Sequence, residues 1–283
     1  GVEGDADLHE NGIKAASTPE QLAKTSSLAD FEHTGTRELT AADYVYQIKR
    51  LAHPRIHSPV GGLMGKYIAQ FSAFIETLDR NDSEGRLFLD LRKFDFAGVT
   101  QIDRYTYEIV LSQKYPQFIY WLAMPFFSPM PWEADMFYSQ PGLQEKNITL
   151  NWFPVGTGPF KLTENNPNLR MVLEKNKNFR KEVYPSLKDK IVKRKMISYN
   201  KNKVIPFIDK AVYSLEKEQI PRWNKFLQGY YDNSGIASDN YDQAISLNNS
   251  GDVSLNKDLE KKGIYLTTAT AASTYYIGFN MLD

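Results

Sequence analysis

Two histidines stand four residues apart in the segment His53-Pro54-Arg55-Ile56-His57. On a helix this spacing would bring both imidazoles to one face, where they could chelate a transition metal. Pro54 interrupts such a helix because its ring removes a backbone donor and clashes with the preceding turn. No carboxylate of the HExxH kind accompanies the pair. The pattern therefore predicts surface or capping histidines and no metal site.

Pairs of acidic residues are the next candidates for chemistry, because two carboxylates can act as general acid and general base. The pairs in question are Asp103 with Glu108 and Asp239 with Asp242. Nothing in the sequence places either pair in a cleft that would shift its pKa values. We therefore expect these four side chains to be solvated residues in turns.

Nucleophile and phosphate-binding motifs do not occur in the sequence: there is no GxSxG elbow, P-loop or Rossmann fingerprint. The segment Gly156-Thr157-Gly158-Pro159 lacks the lysine and the spacing of a phosphate cradle, and it predicts a tight turn into a strand. The absence of cysteine excludes thiol catalysis, disulfides and cysteine-based zinc sites. The sequence thus predicts neither enzymatic activity nor a cofactor.

The first structural element that the sequence predicts, and that could position a site, is a helix. The segment 40–43 (Thr-Ala-Ala-Asp) resembles a capping box with Asp in place of Glu, and apolar residues then recur at helical spacing. This predicts a helix over 41–52 that stops before Pro54. A second apolar stripe predicts one amphipathic helix over 63–78, and strand-like alternation predicts a hairpin of 99–103 with 105–111.

The rest of the chain mixes strands and helices. Residues 1–36 are polar and predict a loop or an insertion. The segment 115–132 is dense in aromatic residues and prolines, which predicts a short helix from Pro116 to Leu122 and then an extended path. Beyond Trp152 we expect strands at 160–162, 171–175, 205–208, 211–213, 264–267 and 275–279, and helices at 217–229 and 253–262. The mixture favours an α+β or α/β second domain.

Composition narrows the class of protein. The 283 residues suffice for one large or two moderate domains. The 34 basic and 34 acidic side chains cancel, so no nucleic-acid partner is expected. No run approaches the ~20 apolar residues that span a bilayer, so no membrane insertion is expected, and the N-terminal residues lack the pattern of a signal peptide.

Three separated segments together resemble the family 5 extracellular solute-binding proteins. The helix Leu39 to Arg50 is similar to the family's lTAeDVvyslkR segment. Gly156 to Leu162 followed by Val172 to Asn176 is similar to its GTGPYkl hairpin, and Thr274 to Asn280 to its tyyigfN strand. The resemblance covers residues 37–283, because the connecting segment Ile102 to Ile109 also agrees with the family pattern.

The resemblance implies a class II, peptide-binding type of periplasmic-binding-protein fold, with solute enclosed between two lobes. Residues 37–153 would form a small inserted α+β domain, 154–276 part of the first lobe, and 277–283 the start of the crossover to a second lobe. The chain begins after the family's first strands and ends before its RvRqAi segment, so the second lobe would be largely absent.

The same resemblance implies a function and a site. The protein would be a monomer that captures oligopeptides or another small solute in the periplasm, or on a lipid anchor outside the cell, and delivers them to the permease subunits of an ABC importer. Solute would be contacted by Asp239, Asn240, Tyr241, Tyr275, Tyr276 and Asn280. Because Tyr275 and Tyr276 alternate along a strand, one would face solute and the other the core. Asn280 would bond peptide backbone or serve as a hinge residue.

A second interpretation belongs to another class. The aromatic-rich segment 115–132 could be an exposed adhesive surface of a chaperone-like or scaffold protein, which would associate with itself or others without a discrete ligand.

Overall fold

The computed structural model describes residues 2–4, 24, 35–82, 88–140, 142–184, 200, 202–247, 253–279 and 281. The chain divides into two compact units, Gly1–Tyr213 and Ser214–Asp283. The sequence-based boundaries after residues 153 and 276 stay predictions. Most of the predicted loop 1–36 lies outside the described residues, although its ends, Val2–Gly4 (β1) and Gly35–Arg37 (β2), form an antiparallel pair.

The first unit combines helices with short strands. Its helices are Ala41–Leu51 (α1), Gly61–Tyr67 (α2), Phe71–Asn81 (α3), Phe118–Trp121 (α4) and Trp132–Tyr138 (α5). Its further strands are Val99–Gln101 (β3), Tyr107–Ile109 (β4), Phe160–Asn166 (β5), Arg170–Lys175 (β6), Glu182–Val183 (β7), Val204–Ile205 (β8) and Lys210–Ser214 (β9). Strand β3 pairs with β4, β5 with β6 and β7 with β8, each pair being antiparallel, and β6 lies between β5 and β9 in a three-stranded sheet.

Helix α1 confirms the prediction from its cap and its apolar stripe. The Asp43 carboxylate accepts a hydrogen bond from the Thr40 backbone N–H at 2.8 Å, which is the acidic half of a capping box. Tyr46, Ile48 and Leu51 are buried in the main core of this unit. The cap and the buried apolar stripe both favour the same helix, so it forms where the sequence predicts it.

The single helix predicted over 63–78 is wrong, because the structure has two helices separated at residues 68–70. Ile68 forms an antiparallel bridge with Leu111, and the Ala69 N–H donates to the Val110 carbonyl at 2.9 Å. Gln70 then adopts a left-handed conformation, with φ of 57°. The helix is interrupted because the backbone at Ile68 and Ala69 pairs with residues 110 and 111, just after β4, instead of continuing the helical hydrogen bonds.

The predicted hairpin is confirmed in shorter form as β3 paired with β4. The extended path expected up to Trp132 is wrong at Pro125–Phe127, which forms a 3₁₀ helix, and a further helix follows Pro131. Helix α5 begins at Trp132, with Pro131 in extended conformation at its N-cap. Proline suits the start of a helix because its missing N–H would have no helical partner there. The prolines therefore delimit a helix, which the composition of the segment had concealed.

The predicted turn at Gly156 to Pro159 leads into strand β5, which pairs with β6 through a register shift between Leu162 and Glu164. The buried Asn176 side chain closes this arrangement by donating to the Gly158 carbonyl at 3.0 Å. Its backbone N–H donates to the Pro159 carbonyl at 2.9 Å. The glycine segment is thus tied to the end of the hairpin that follows it.

The second unit packs one amphipathic helix against a small hairpin. Its elements are Gln219–Leu227 (α6), Tyr241–Ala244 (α7), Ile245–Leu247 (β10), Val253–Leu255 (β11) and Lys257–Lys261 (α8). The helix predicted over 253–262 is wrong in its first turn, since β11 pairs with β10. Asn256 separates strand from helix, because its side chain accepts from the Asp258 N–H at 3.0 Å as an N-cap.

The strands predicted at 264–267 and 275–279 do not form. Residues 264–279 lie outside any helix or strand, and Tyr275 and Tyr276 are 94% and 87% exposed. Aromatic and β-branched residues favour a strand only where a neighbouring strand accepts its hydrogen bonds. Neither tyrosine packs into a core, which corrects the expectation that one of them would.

Candidate functional site

A cleft of about 800 Å³ opens on the second unit. Three parts of the chain line it: the helix α6 with the loop after it, the hairpin β10–β11 with the residue that begins α7, and the segment that follows α8. The lining residues are Trp223, Phe226, Asp232–Ile236, Tyr241, Ile245, Val253, Leu255 and Gly263–Thr268. The lining is about equally polar and apolar, and a pocket of this size can hold a small ligand.

Helix α6 supplies the aromatic part of the cleft. Trp223 and Phe226 lie three residues apart, on one face of the helix, and their ring centroids are 5.4 Å apart. Trp223 is buried against Ile245 and Leu255 in the core of this unit. Its indole Nε1 is buried and has no hydrogen-bond partner among the described residues.

The end of α6 fixes the path of the loop that lines the cleft. The Tyr230 N–H donates to the Lys225 carbonyl at 2.9 Å, and the Gly229 N–H donates to the Phe226 carbonyl at 2.9 Å. This pair of bonds is a Schellman motif, which requires a left-handed residue. Gly229 supplies that conformation with φ of +84°. The helix therefore ends in a defined turn that delivers Asp232 and Asn233 to the cleft.

A small polar cluster holds the same loop from its other side. The Tyr231 hydroxyl donates to Glu216 Oε1 at 2.5 Å, and the Lys225 ammonium forms an ion pair with the same carboxylate. The hydrogen bond from Lys225, followed by that from Tyr231, lowers the pKa of Glu216. Tyr231, the residue before Asp232, is thereby tied to Glu216, which precedes α6.

The predicted triplet Asp239, Asn240 and Tyr241 divides into different roles. Tyr241 lines the cleft and is 39% exposed. Asn240 is buried, and its side-chain oxygen accepts from the Ala237 N–H at 2.6 Å, so it holds the turn that presents Tyr241. Asp239 is exposed and accepts a hydrogen bond from the Ser238 hydroxyl at 3.2 Å.

Of the other predicted site residues, Tyr275 and Tyr276 are not brought to this cleft, because they lie beyond the lining segment, which ends at Thr268. Asn280 lies outside the described residues. Sequence reasoning missed Trp223, Phe226 and Asp232, although the glycine that ends a helical run at residue 229 could have indicated a capped helix followed by a fixed loop.

The four acidic residues considered for acid–base chemistry are exposed, as predicted, but the expectation that all lie in turns is wrong, because Glu108 lies in strand β4 and Asp242 in helix α7. His53 Nδ1 accepts from the Arg55 N–H at 3.2 Å and so caps a short 3₁₀ turn, as the sequence predicted. In the part of the chain that the structure describes, no group of three or more His, Asp or Glu side chains could hold a metal ion. None of the described helices is both long and apolar enough to cross a membrane.

Comparison with known proteins matches one family model to residues 33–283, described as bacterial extracellular solute-binding proteins, family 5 Middle. A curated relative is the periplasmic oligopeptide-binding protein OppA of Salmonella typhimurium. It is 31% identical to this chain over 141 residues, which make up 50% of this chain and 23% of the relative.

Solved structures give further similarities. OppA of Listeria monocytogenes bound to peptide has a TM-score of 0.49 and 18% identity, covering 72% of this chain and 32% of its own. OppA of Haemophilus influenzae in complex with RPPGFSPFR has a TM-score of 0.48 and 15% identity, covering 73% and 33%. The chain thus spans between 23% and 33% of the length of these relatives.

Proposed function

We propose that this chain, which belongs to the bacterial extracellular solute-binding proteins of family 5, forms part of the receptor of an ABC importer. The receptor captures oligopeptides or a related small solute in the periplasm, or on a lipid anchor outside the cell, and delivers them to the permease subunits. The family match over residues 33–283 is the observation that carries this proposal.

The cleft on the second unit contributes one wall of the solute site in this proposal. Phe226 and Tyr241 offer apolar surface to the side chains of the solute, while polar groups nearby bond its main chain. Tyr275, Tyr276 and Asn280 extend the solute-contacting surface, and Asp239 and Asn240 support the turn at Tyr241. Residues 37–153 act as the small inserted domain, 154–276 as part of the first lobe and 277–283 as the crossover.

Binding in this proposal is coupled to closure of two lobes around the solute. Solute favours the closed form because both lobes contact it only in that form, and the closed form signals to the permease that solute is bound. The receptor acts as a monomer, without cofactor, nucleic acid or catalysis. Its chemistry is recognition and release, which agrees with the separate structural roles of the titratable groups described above.

The scaffold interpretation finds less support in the packing. Within the segment 115–132, the rings of Phe118, Trp121 and Phe127 are buried, and Tyr115 stacks on Tyr67 with centroids 4.2 Å apart. Tyr120, at 69%, is the most exposed aromatic residue of this segment. The aromatic residues therefore mainly build the core of the first unit, while Tyr120 and its neighbours Ile119, Leu122 and Met124 are the large apolar residues of this segment that are exposed.

Native mass spectrometry of the chain with an equimolar library of di- to hexapeptides tests the proposal. We expect discrete mass increments that match peptides, with a weaker signal for Tyr241→Ala. An equimolar mixture of the free amino acids serves as the solute control. Retention of no peptide by the folded chain would contradict the proposal, and uniform multiple adducts would favour an adhesive surface instead.

A further inference from the structure

The charge around the cleft of the second unit is one-sided. Asp232 is the single charged residue among the described residues that line the cleft; the others are apolar or neutral and polar. Two cations lie close by on α6. Lys225 is paired with Glu216, whereas Arg222 donates to the neutral Gln219 side chain and has no ion-pair partner among the described residues. A ligand in the cleft therefore meets a mixed polar and apolar lining whose single charged group is the exposed carboxylate of Asp232.

We propose that this cleft selects a solute side chain with an apolar stem and a cationic end, such as that of lysine or arginine, and that Asp232 determines the selectivity. This inference rests on the proposed function, because it assigns a substrate class to the same site. Long cationic side chains lay their methylene groups on apolar surface while the charge stays at a polar edge. Phe226 and Tyr241 supply such a surface, and Asp232 supplies the edge.

The geometry keeps Asp232 at the cleft independently of any ligand. The Schellman turn at Gly229 and the Tyr231 bond to Glu216 both fix the chain immediately before it. The Arg222 guanidinium stands 3.8 Å from the position that a Cβ would take on Gly235, so it lies beside the loop without lining the cleft. Arg222 opposes a cation weakly, and its replacement should strengthen the preference.

The expected selectivity is modest because Asp232 is exposed to solvent. Ion pairs at exposed positions change an equilibrium about two- to fivefold and weaken as salt screens them. An anionic side chain of similar length should bind more weakly than the neutral isostere for the same reason. The order expected at low salt is therefore lysine above norleucine above glutamate.

The test uses three tripeptides, Ala-Xaa-Ala with Xaa as lysine, norleucine or glutamate, titrated into the chain at low salt. Norleucine keeps the apolar stem of lysine and removes its charge. We expect Asp232→Asn to lower the ratio of lysine to norleucine affinity about two- to fivefold. Asp258→Asn makes the same charge change at a residue that is exposed and outside the cleft, and it should alter neither affinity.

The outcomes separate this inference from the proposed function. If the tripeptides bind but Asp232→Asn leaves the ratio of lysine to norleucine affinity unchanged, the selectivity is overturned while peptide binding stands. If Asp258→Asn has the same effect as Asp232→Asn, the cleft is also not the selecting site. If no tripeptide binds the folded chain at all, both proposals fail. Circular dichroism of each variant confirms that it folds.

Discussion

Arg37 donates a hydrogen bond to Glu133 at 2.9 Å, across 96 residues of sequence. The same guanidinium forms an ion pair with Asp43, so it ties the first turn of α5 to the cap of α1. Burial alone would lower the pKa of Arg37, but hydrogen bonds to Asp43 and Glu133 outweigh it and raise the pKa. Arg37, which precedes α1, thus fixes the start of α5.

Replacing Arg37 by methionine should lower the free energy of unfolding by about 3 kcal/mol, because two buried carboxylates lose their cation. The side chains of Asp43 and Glu133 are only 2% and 10% exposed. Urea denaturation at pH 7 measures the change. Arg104→Met is the control, since its ion pair with Glu38 lies on the surface and should contribute less than about 1 kcal/mol. Equal losses in both variants would contradict the argument.

The break between α2 and α3 depends on close approach at Gly98. A Cβ added there would stand 2.3 Å from the Ala69 carbonyl oxygen. Gly98→Ala should therefore lower the free energy of unfolding by about 2 kcal/mol or more, since backbone atoms must shift. Gly62→Ala is the matched control within α2, where a Cβ meets nothing within 4 Å. It should raise stability by about 0.5 to 1 kcal/mol, because alanine favours a helix and restricts the unfolded chain.

The two regions show which structure a sequence can predict. Helix α1 follows from its own cap and apolar stripe, so its bounds could be read locally. The stripe over 63–78 is equally regular, but the pairing of Ile68 with Leu111 replaces helical hydrogen bonds in its middle. That pairing involves a residue far along the chain, just after β4, and the periodicity of the stripe carries no information about it.

The candidate site likewise contains residues that the sequence could predict and residues that it could not. Tyr241 could be named from the family resemblance, and it does line the cleft. Asp232 and Trp223 could not, because their position depends on the turn that ends α6 and on the packing of that helix against β10 and β11. The strand expected at 275–279 has the right composition but forms no ladder, since β structure needs a partner as well as a propensity.

His53 should make stability depend on pH in the weakly acidic range. Burial, the largest influence, lowers its pKa, and the charges of Asp82 and Asp135 oppose this only in part. The unfolded chain therefore takes up the proton at a higher pH than the folded chain. Stability should be full above the unfolded value, about 6.5, and fall as the pH decreases through it toward the folded value.

Urea midpoints at pH 7.5 and 5.5 measure this dependence. His53→Asn should reduce the difference between the two midpoints, because asparagine can still accept from the Arg55 N–H but does not titrate. His57→Asn is the control at an exposed position that adopts φ of 47°, which asparagine tolerates. If both variants keep the full difference, the pH dependence has another origin.

Gly229 connects the stability of the second unit with its cleft. Gly229→Ala should lower the free energy of unfolding by about 1 to 2 kcal/mol, because the residue holds φ of +84°, while no atom lies within 4 Å of the added Cβ. The cost is therefore in the backbone and not in a clash. Gly235→Ala, in the same loop without a positive φ and with its nearest contact at 3.8 Å, should change stability little.

The same pair of variants separates folding from recognition. If the Schellman turn positions Asp232, Gly229→Ala should also bring lysine and norleucine tripeptides closer in affinity, measured by calorimetry under conditions where the variant is fully folded. Gly235→Ala leaves the turn intact, so it measures how far a Cβ added to the cleft lining changes this ratio by itself. Loss of stability with an unchanged ratio would mean that the loop finds its position without the turn. Asp232 would then be placed by its own contacts with the cleft.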